Sequence, residues 1–334
     1  MRLLTFLATF LLAPAAWAQT PPACTGQDLY AQLKTQNPAL AQTMVQEAAT
    51  QPYGKGIYFS VSKPGVAPSI VMGTVHITDP RIADLPPAVE KALNGADVVA
   101  LEITEQLFPQ KAAALTMQNM GKLFYTDGTT LTDKLSEADG EAVKKAALAM
   151  GMPWSTTSKI RPFFLMAMMS LPACERARDA AGLPGLDDKL GKQALKAGKS
   201  VVGLENFVGQ LEAVNALPEK MMLDVLVEWA NMSASADDVL ETMVQFYLNG
   251  ETGMLWSMMN RLTPQGFSEQ SQLAKNAAFQ RIMLDKRNVT MADGSAKLID
   301  AGNAFIAVGA LHLPGEKGLL NLLAQRGYTI KRIQ

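Results

Sequence analysis

The chain has 334 residues, 48% of them hydrophobic and 18% charged, and its 30 Lys and Arg nearly balance 31 Asp and Glu to give a formal net charge of −1. This balance excludes the strongly basic surface that binds nucleic acid or an anionic membrane. Only two cysteines and two histidines occur in the whole sequence, so the position of each is informative.

The first eighteen residues have the pattern of a secretory signal peptide. Arg2 supplies the positive charge, residues 3–12 form a short apolar core, and Ala16-Trp17-Ala18 is a small-x-small cleavage site. The apolar core is too short to cross a bilayer, although an uncleaved anchor is the alternative. We therefore expect residues 1–18 to be a signal peptide and the protein to be exported, either periplasmic or secreted.

Residues 19–334 are expected to form a single domain without a transmembrane segment, because the sequence shows neither an interdomain linker nor a long apolar stretch. Their two cysteines are Cys24 and Cys174. In an oxidising compartment these allow one disulfide with one possible connectivity. Two unpaired thiols, one of them buried, are the alternative.

Hydrophobic periodicity and turn residues predict the elements of the amino-terminal part. Two short strands form a hairpin, and a third strand follows a helix that begins at a Pro-Pro pair. In chain order we predict a helical arm over residues 25–50, strands over 56–62 and 69–73, a helix over 86–95 and a strand over 98–101.

The remainder of the chain contains long helical stretches and three further strands. Ser136 and Ser235 are predicted helix N-caps, and Pro218 lies near the start of another helix. Many methionines occur in this part, either as adaptable core residues or as a pliable apolar groove for a peptide or lipid. The later elements are predicted as a helix over 188–197, a strand over 201–204, a strand over 305–308, a helix over 318–326 and a strand over 328–333.

This order of elements predicts an α/β (α+β) fold of two weakly related α/β halves with large helical insertions. Both histidines close a Gly-x-x-His phrase that follows an apolar strand: Gly73 to His76 and Gly309 to His312. Two other strands end on Glu102 and Glu205. Because α/β sheets bind ligands at the carboxyl ends of their strands, we expect these four side chains to lie in one cleft. A hydrogen-bonded turn histidine is the structural alternative for each phrase.

Two imidazoles and one or two carboxylates can hold a divalent metal and leave positions for water and substrate. We expect His76, Glu102 and His312 to be metal ligands and Glu205 to assist the attacking water. Metal affinity should then fall as pH drops through the ordinary histidine pKa near ~6.5. Without a metal, the same residues could act in acid/base catalysis. Local motifs of zinc helices, serine hydrolases and P-loops are absent from the sequence.

The phrases around these residues resemble the motif series of the TraB/GumN family, which is related to PrgY and to the Tiki metalloproteases. The resemblance extends from about Cys24 to the end of the chain. The matching segments are Gly73-Thr74-Val75-His76, Ala100-Leu101-Glu102, Gly185-Leu186-Asp187, Gly203-Leu204-Glu205 with Gln210, Arg287-Asn288, and Val308 to Gly315.

The resemblance implies a fold shared with the Tiki, erythromycin-esterase and ChaN group. By analogy with the Tiki proteins, it also implies peptide hydrolysis that depends on a divalent metal. The identity of the metal is open, and manganese, cobalt and zinc are the candidates to test. The family's paired histidines correspond to His76 and His312, and its strand-end carboxylates correspond to Glu102 and Glu205. Its polar Arg-Asn pair corresponds to Arg287-Asn288, which together with Glu205 completes the predicted catalytic set.

Several roles remain open at this point. Arg287 could bind a substrate carboxylate and Asn288 could donate to an oxyanion, or Arg287 could form a buried ion pair with Glu102 or Glu205. Asp187 is more consistent with a helix N-cap than with a carboxylate of the pocket. The leading hypothesis is an exported metal-dependent hydrolase, most simply a peptidase acting on a peptide or small-molecule substrate. The alternative is a non-catalytic module that binds a ligand or haem in the same cleft.

Overall fold

A computed structural model describes residues 23–82, 84–232, 235–261 and 269–333, so the predicted signal peptide lies outside the described residues. Its centre is a mixed sheet with the strand order β4-β3-β5-β2-β1-β6. The strands are β1 (Tyr58–Ser62), β2 (Ser69–Thr74), β3 (Val98–Leu101), β4 (Ser200–Gly203), β5 (Ala304–Gly309) and β6 (Thr329–Arg332).

Strands β4, β3, β5 and β2 are parallel neighbours, whereas β1 pairs antiparallel with both β2 and β6. The register places Thr74 beside Gly309 and Leu101 beside Ala307. The carboxyl ends of the four parallel strands therefore lie at the same edge of the sheet, where the predicted site residues follow them.

Helices cover both faces of the sheet and form a separate layer beyond it. Before β4 in the chain they are α1 (Leu29–Gln36), α2 (Pro38–Ala49), α3 (Pro87–Gly95), α4 (Pro109–Gln118), α5 (Met120–Leu123), α6 (Leu131–Lys134), α7 (Glu137–Ala149), α8 (Trp154–Thr157), α9 (Pro162–Met169), α10 (Ala173–Ala180) and α11 (Leu186–Lys196). After β4 they are α12 (Phe207–Asn215), α13 (Glu219–Ala230), α14 (Ala236–Leu248), α15 (Thr252–Arg261), α16 (Glu269–Phe279), α17 (Lys286–Ala301) and α18 (Leu319–Gln325).

Successive side chains of the central strands point to opposite faces of the sheet, so the strands contribute to two hydrophobic cores. On one face, Met72 and Phe305 pack with residues of α3, α11, α14 and α15. On the other face, Val71 and Ile306 pack with residues of α17 and α18. A third cluster around Leu165 joins α6, α7, α9 and α13 away from the sheet. These layers confirm the predicted α/β (α+β) class, while the relation between two halves stays a prediction.

The predicted amino-terminal arm differs from the observed structure because it is broken at Asn37. Pro38 lacks a backbone N–H and restricts the residue before it, so one helix cannot run through this position. The Asn37 side chain instead accepts a hydrogen bond from the N–H of Leu40 and caps α2. Ser136 and Ser235 cap α7 and α14 as predicted.

The predicted disulfide is confirmed: Cys24 is bonded to Cys174, with their Cα atoms 5.3 Å apart. It links the segment before α1 to α10. Among the methionines of the helical layers, Met169, Met222, Met254 and Met258 are buried in cores, whereas Met168 is 41% exposed. Within the described ranges, no helix combines the length and apolar character needed to cross a membrane.

Candidate active site at the carboxyl ends of the strands

His76 lies two residues beyond the end of β2, and its position depends on Asp187 in the first turn of α11. Its Nδ1 atom is 2.8 Å from Oδ2 of Asp187, whose other oxygen accepts a hydrogen bond from the Thr74 hydroxyl at 2.7 Å. A carboxylate can only accept, so Nδ1 of His76 carries the proton. The side chain of His76 is 64% exposed, and Nε2 is its free functional nitrogen.

His312 ends a 3₁₀ turn (Ala310–His312) after β5 and is buried, with 5% of its side chain exposed. Its Nδ1 atom lies 2.6 Å from Oδ1 of Asn288. The Asn288 amide group donates to the carbonyl of Lys317 at 2.8 Å, which fixes the orientation of its oxygen toward the imidazole. His312 therefore donates from Nδ1, and its Nε2 atom keeps a lone pair.

Glu102 lies between the two imidazoles. Its Oε2 atom is 3.9 Å from Nε2 of His76 and 3.9 Å from Nε2 of His312. The same oxygen accepts a hydrogen bond from the N–H of Gly309 at 3.2 Å, and Oε1 accepts one from Gln210 at 2.7 Å. One carboxylate oxygen is thus held in place by the backbone of β5 and faces both free imidazole nitrogens.

Arg287 joins Glu102 to Glu205. Its Nη2 atom contacts Oε1 of Glu102, and its Nε and Nη2 atoms donate to Oε2 of Glu205 at 2.9 and 2.6 Å. Its Nη1 atom donates to the carbonyl of Met283 at 3.1 Å. All three guanidinium nitrogens therefore have partners. Of the two alternatives for Arg287, the structure shows the buried ion pair.

The backbone before Arg287 is a π-helix (Gln280–Asp285) between α16 and α17. A π turn contains an extra residue relative to an α turn, and such insertions occur often at functional sites. The carbonyl of Met283 belongs to this turn and receives the Arg287 guanidinium. The π turn therefore supplies a backbone carbonyl that binds Arg287.

Gly309 provides the space on which the site depends. Its φ of −51° is accessible to any residue, so its backbone conformation does not require glycine. A Cβ atom here would lie 3.4 Å from Oε2 of Glu102, 3.4 Å from Cδ2 of His312 and 3.6 Å from Nε2 of His76. The missing side chain leaves open the small space between the three functional groups.

The surroundings of the two histidines shift their pKa values in opposite directions. Burial lowers the pKa of His312 to about 4, although Glu102 acts against this change. Desolvation also acts to lower the pKa of His76, but Asp187 and Glu102 together outweigh it and raise the pKa to about 9. At neutral pH His312 is neutral and His76 is protonated. Pairs of groups with separated pKa values are typical of acid/base sites.

The carboxylates also differ from each other. Burial acts to raise the pKa of Glu102, but His312, His76 and Arg287 outweigh it and lower the pKa to about 2. Burial raises the pKa of Glu205, with Arg287 acting against it. Glu102 is therefore a permanent anion between the imidazoles, whereas Glu205 takes up a proton more readily.

The donor set matches the ligands preferred by zinc, manganese and cobalt, namely two imidazole nitrogens and a carboxylate oxygen. Bonds of about 2.0–2.2 Å place two ligand atoms of a tetrahedral centre about 3.3–3.6 Å apart. The 3.9 Å distances from Glu102 to each histidine exceed this separation by a few tenths of an ångström. Accordingly, no group of three His, Cys, Asp or Glu side chains in the described ranges is already at metal-binding spacing. Chemically the residues fit a metal, and each Glu102–histidine distance would have to shorten by those few tenths of an ångström.

Two cavities lie along this edge of the sheet. One, of about 290 Å³, is lined by polar and acidic groups that include His76, Glu102, Asp187 and Gln210. The other, of about 450 Å³, lies along the start of α12 and is lined by Glu205 and Arg287 among others. Glu205 thus borders a different cavity from the one that His76 borders.

The six residues that the sequence singled out are linked through their contacts, but the expected single cleft is divided, since His76 and Glu102 line one cavity and Glu205 and Arg287 line another. The individual roles of these residues stay predictions. The expectation for Asp187 was wrong: the N-cap of α11 is Gly185, and Asp187 holds His76. Sequence reasoning assigned no role to Thr74, Gln210 or Gly309. Their positions within or beside the Gly-x-x-His and Leu-Glu phrases were the available signal, because residues next to a ligand often orient it.

Comparisons with known proteins give one family. A family model described as the TraB/PrgY/gumN family matches residues 57–332. Two relatives, each named Uncharacterized protein YbaP, come from Shigella flexneri and Escherichia coli (strain K12). Each is 24% identical over 267 residues, which cover 79% of this chain and 90% of the relative. No solved structure matches the chain.

Proposed function

Because the chain belongs to the TraB/PrgY/gumN family, we propose that it is an exported metal-dependent hydrolase acting at the edge of the sheet where His76 and His312 lie. The observation that carries this proposal is the position of Oε2 of Glu102, 3.9 Å from the Nε2 atom of each histidine. Both Nδ1 atoms have other partners, so both Nε2 atoms are left to bind a ligand, that of His312 directly and that of His76 once it has released its proton. Two imidazoles that serve only structural roles would not need this shared orientation.

In this proposal His76, His312 and Glu102 hold one divalent cation. When bound, the cation supplies a Lewis acid and makes water more acidic near neutral pH. The chain's own residues prepare the site: Asp187 and Asn288 set the tautomers of the two imidazoles, and the N–H of Gly309 directs Oε2 of Glu102. Such outer partners orient ligands in metal sites.

Arg287 and Glu205 form the second part of the proposed site. Arg287 compensates the buried charge of Glu102 and would keep it ionised throughout a reaction. Oε2 of Glu205 is already engaged by Arg287, so we propose that Glu205 assists through its other oxygen and receives a proton during hydrolysis. The pKa of Glu205, which burial raises, supports such a proton-accepting role.

The proposed substrate is a short or extended peptide. The cavity beside His76 has an acidic lining in Glu102, Asp187 and Asp188, and protonated His76 is the one cationic group among the residues that line it. An uncharged or positively charged segment would enter it more readily than an anionic one. Export is supported by the Cys24–Cys174 disulfide, because disulfides persist in oxidising compartments.

The test combines metal analysis with a peptide-library digest of purified, tag-free protein. We expect bound manganese, cobalt or zinc, and cleavage that is lost in His76→Ala and His312→Ala. Glu205→Gln should retain the metal and slow turnover by roughly 10²–10⁴, the usual scale for a lost general base. Glu212→Gln is the matched control, because the side chain of Glu212 is 64% exposed and pairs with Lys122.

A wild-type protein that binds none of the three metals more tightly than its histidine variants would contradict the proposal. The cleft would then be assigned to metal-free ligand binding. Haem addition followed by visible spectroscopy tests that second assignment.

A further inference from the structure

The loop that carries His76 is fastened beyond the histidine by a buried carboxylate on α10. The backbone N–H and the hydroxyl of Thr78 both donate to Oε2 of Glu175, at 2.7 and 2.9 Å. Glu175 is 3% exposed. A charge so deeply buried is stable only with close partners, so the contact with Thr78 fixes the loop firmly.

The same carboxylate is tied to the disulfide in two ways. Glu175 directly follows Cys174, which is bonded to Cys24. Its other oxygen, Oε1, accepts a hydrogen bond from Nη1 of Arg178 at 2.8 Å, and that nitrogen lies 3.4 Å from Sγ of Cys24. The contacts therefore join four residues into one cluster: Cys24, Cys174, Glu175 and Arg178.

His76 itself has few constraints. Its side chain is 64% exposed, and its side-chain hydrogen bond is the one with Asp187. The strand before it ends at Thr74, so its main chain is held by β2 on one side and by the Thr78–Glu175 contact on the other. Loss of either support would allow the imidazole to move relative to Glu102.

We infer that Glu175 is a positioning residue for His76 and that the Cys24–Cys174 disulfide keeps Glu175 in that role. The consequence for metal binding rests on the function proposed above. The consequence for the mobility of His76 does not, because it follows from the hydrogen bonds of Thr78 alone.

The experiment uses tag-free protein, in which His76 and His312 give the only histidine signals of the chain. In Glu175→Gln the His76 imidazole resonances should broaden or shift while those of His312 stay unchanged. The amide of Thr78 should exchange about tenfold faster or more, the scale of a lost hydrogen bond to a charged group. Metal affinity should fall about 10–100-fold, as for other residues that orient a ligand.

A Cys24→Ala/Cys174→Ala protein should show the same changes, and adding Glu175→Gln to it should cause little further loss. Glu212→Gln is the control with an exposed carboxylate.

Unchanged His76 signals and unchanged Thr78 exchange in Glu175→Gln would overturn the inference, even if the melting temperature fell. If the cysteine variants do not fold, Glu175→Gln decides alone because its disulfide is intact. If wild type binds no metal, the proposed function fails while the resonance and exchange measurements still decide this inference.

Discussion

Oδ2 of Asp187 lies 2.8 Å from Nδ1 of His76, and this contact gives the exposed histidine the higher pKa of the pair. The buried histidine has an uncharged partner, Asn288, and a pKa lowered to about 4 by its burial. The two imidazoles therefore enter any reaction with different charges at neutral pH. This difference determines how ligand binding depends on pH.

Metal binding should require the release of one proton, from His76. Since its pKa is raised to about 9, affinity should fall roughly tenfold per pH unit below that value, whereas His312 is already neutral above about pH 4. The dependence should begin well above the ordinary histidine pKa that the sequence alone suggested. Calorimetry at pH 7 in buffers of different protonation enthalpy should detect about one released proton. An affinity that is constant from pH 7 to 9 would contradict the assignment.

Asp187→Asn should lower the pKa of His76 toward the ordinary value near ~6.5, because an amide does not stabilise the imidazolium as a carboxylate does. Above pH 9, where His76 is neutral in both proteins, the metal affinity of Asp187→Asn should be about 10–100-fold lower than that of wild type, because the imidazole is no longer oriented. At pH 7 the loss should be smaller, since less proton competition remains. Nitrogen-detected imidazole spectra measure the pKa directly. Asp188→Asn, whose carboxylate lies 3.7 Å from Lys192, should leave the His76 spectrum unchanged.

The same shift has a consequence for stability. A histidine whose folded-state pKa is raised contributes stability that is fully present below the unfolded pKa near ~6.5 and is lost as pH rises through about 9. Asp187→Asn should remove this pH dependence between about 6.5 and 9. Chemical denaturation at several pH values checks it, and a stability difference that grows with pH would have the wrong sign.

Gly309→Ala should separate ligand binding from folding. The new methyl group would lie at ordinary contact distances, 3.4 to 3.6 Å, from the Glu102, His312 and His76 side chains, so the fold should lose less than about 1.5 kcal/mol. The methyl group would nevertheless fill the space between the donors, and metal binding should be abolished. Gly140→Ala, with open space around its Cβ position on α7, is the control. Retained binding in Gly309→Ala would show that a ligand does not enter between these groups.

Arg287→Met should destabilise the protein by about 3–5 kcal/mol at neutral pH, because Glu102 and Glu205 would be left buried without their cation. Protonation of the carboxylates relieves this cost, so the loss should shrink as pH falls through the ordinary glutamate pKa of about 4.3. Adding Glu205→Gln should recover part of the stability at pH 7. A loss that is independent of pH would indicate missing packing rather than missing charge compensation.

Much of the fold could be predicted because its strands are short apolar runs bounded by turn residues. The prediction of 98–101 coincides with β3, and 305–308 differs from β5 by one residue at each end. The order of the strands could not be predicted, since it depends on pairing between distant segments. The π-helix before Arg287 was missed as well, because one inserted residue hardly changes the hydrophobic pattern of a helix.

The sequence was sufficient to predict which residues form the site, but not which of them contact each other. The rarity of histidine pointed to His76 and His312, but nothing local distinguishes an aspartate that caps a helix from one that binds an imidazole. Asp187 lies in the first turn of α11, where aspartate is common in either role. The decisive information was the distance across the sheet edge between Asp187 and His76, which only the folded chain provides.

The central position of β5 has a consequence for how the molecule is made. This strand lies between β3 and β2, yet it begins at Ala304, near the end of the chain. During synthesis from the amino terminus, β2 and β3 therefore lack their shared neighbour until almost the whole polypeptide is available. Pairing over such long sequence separations is slow. The site is therefore completed late in the order of synthesis, because the Gly309 N–H that holds Glu102 comes 207 positions after that carboxylate in the chain.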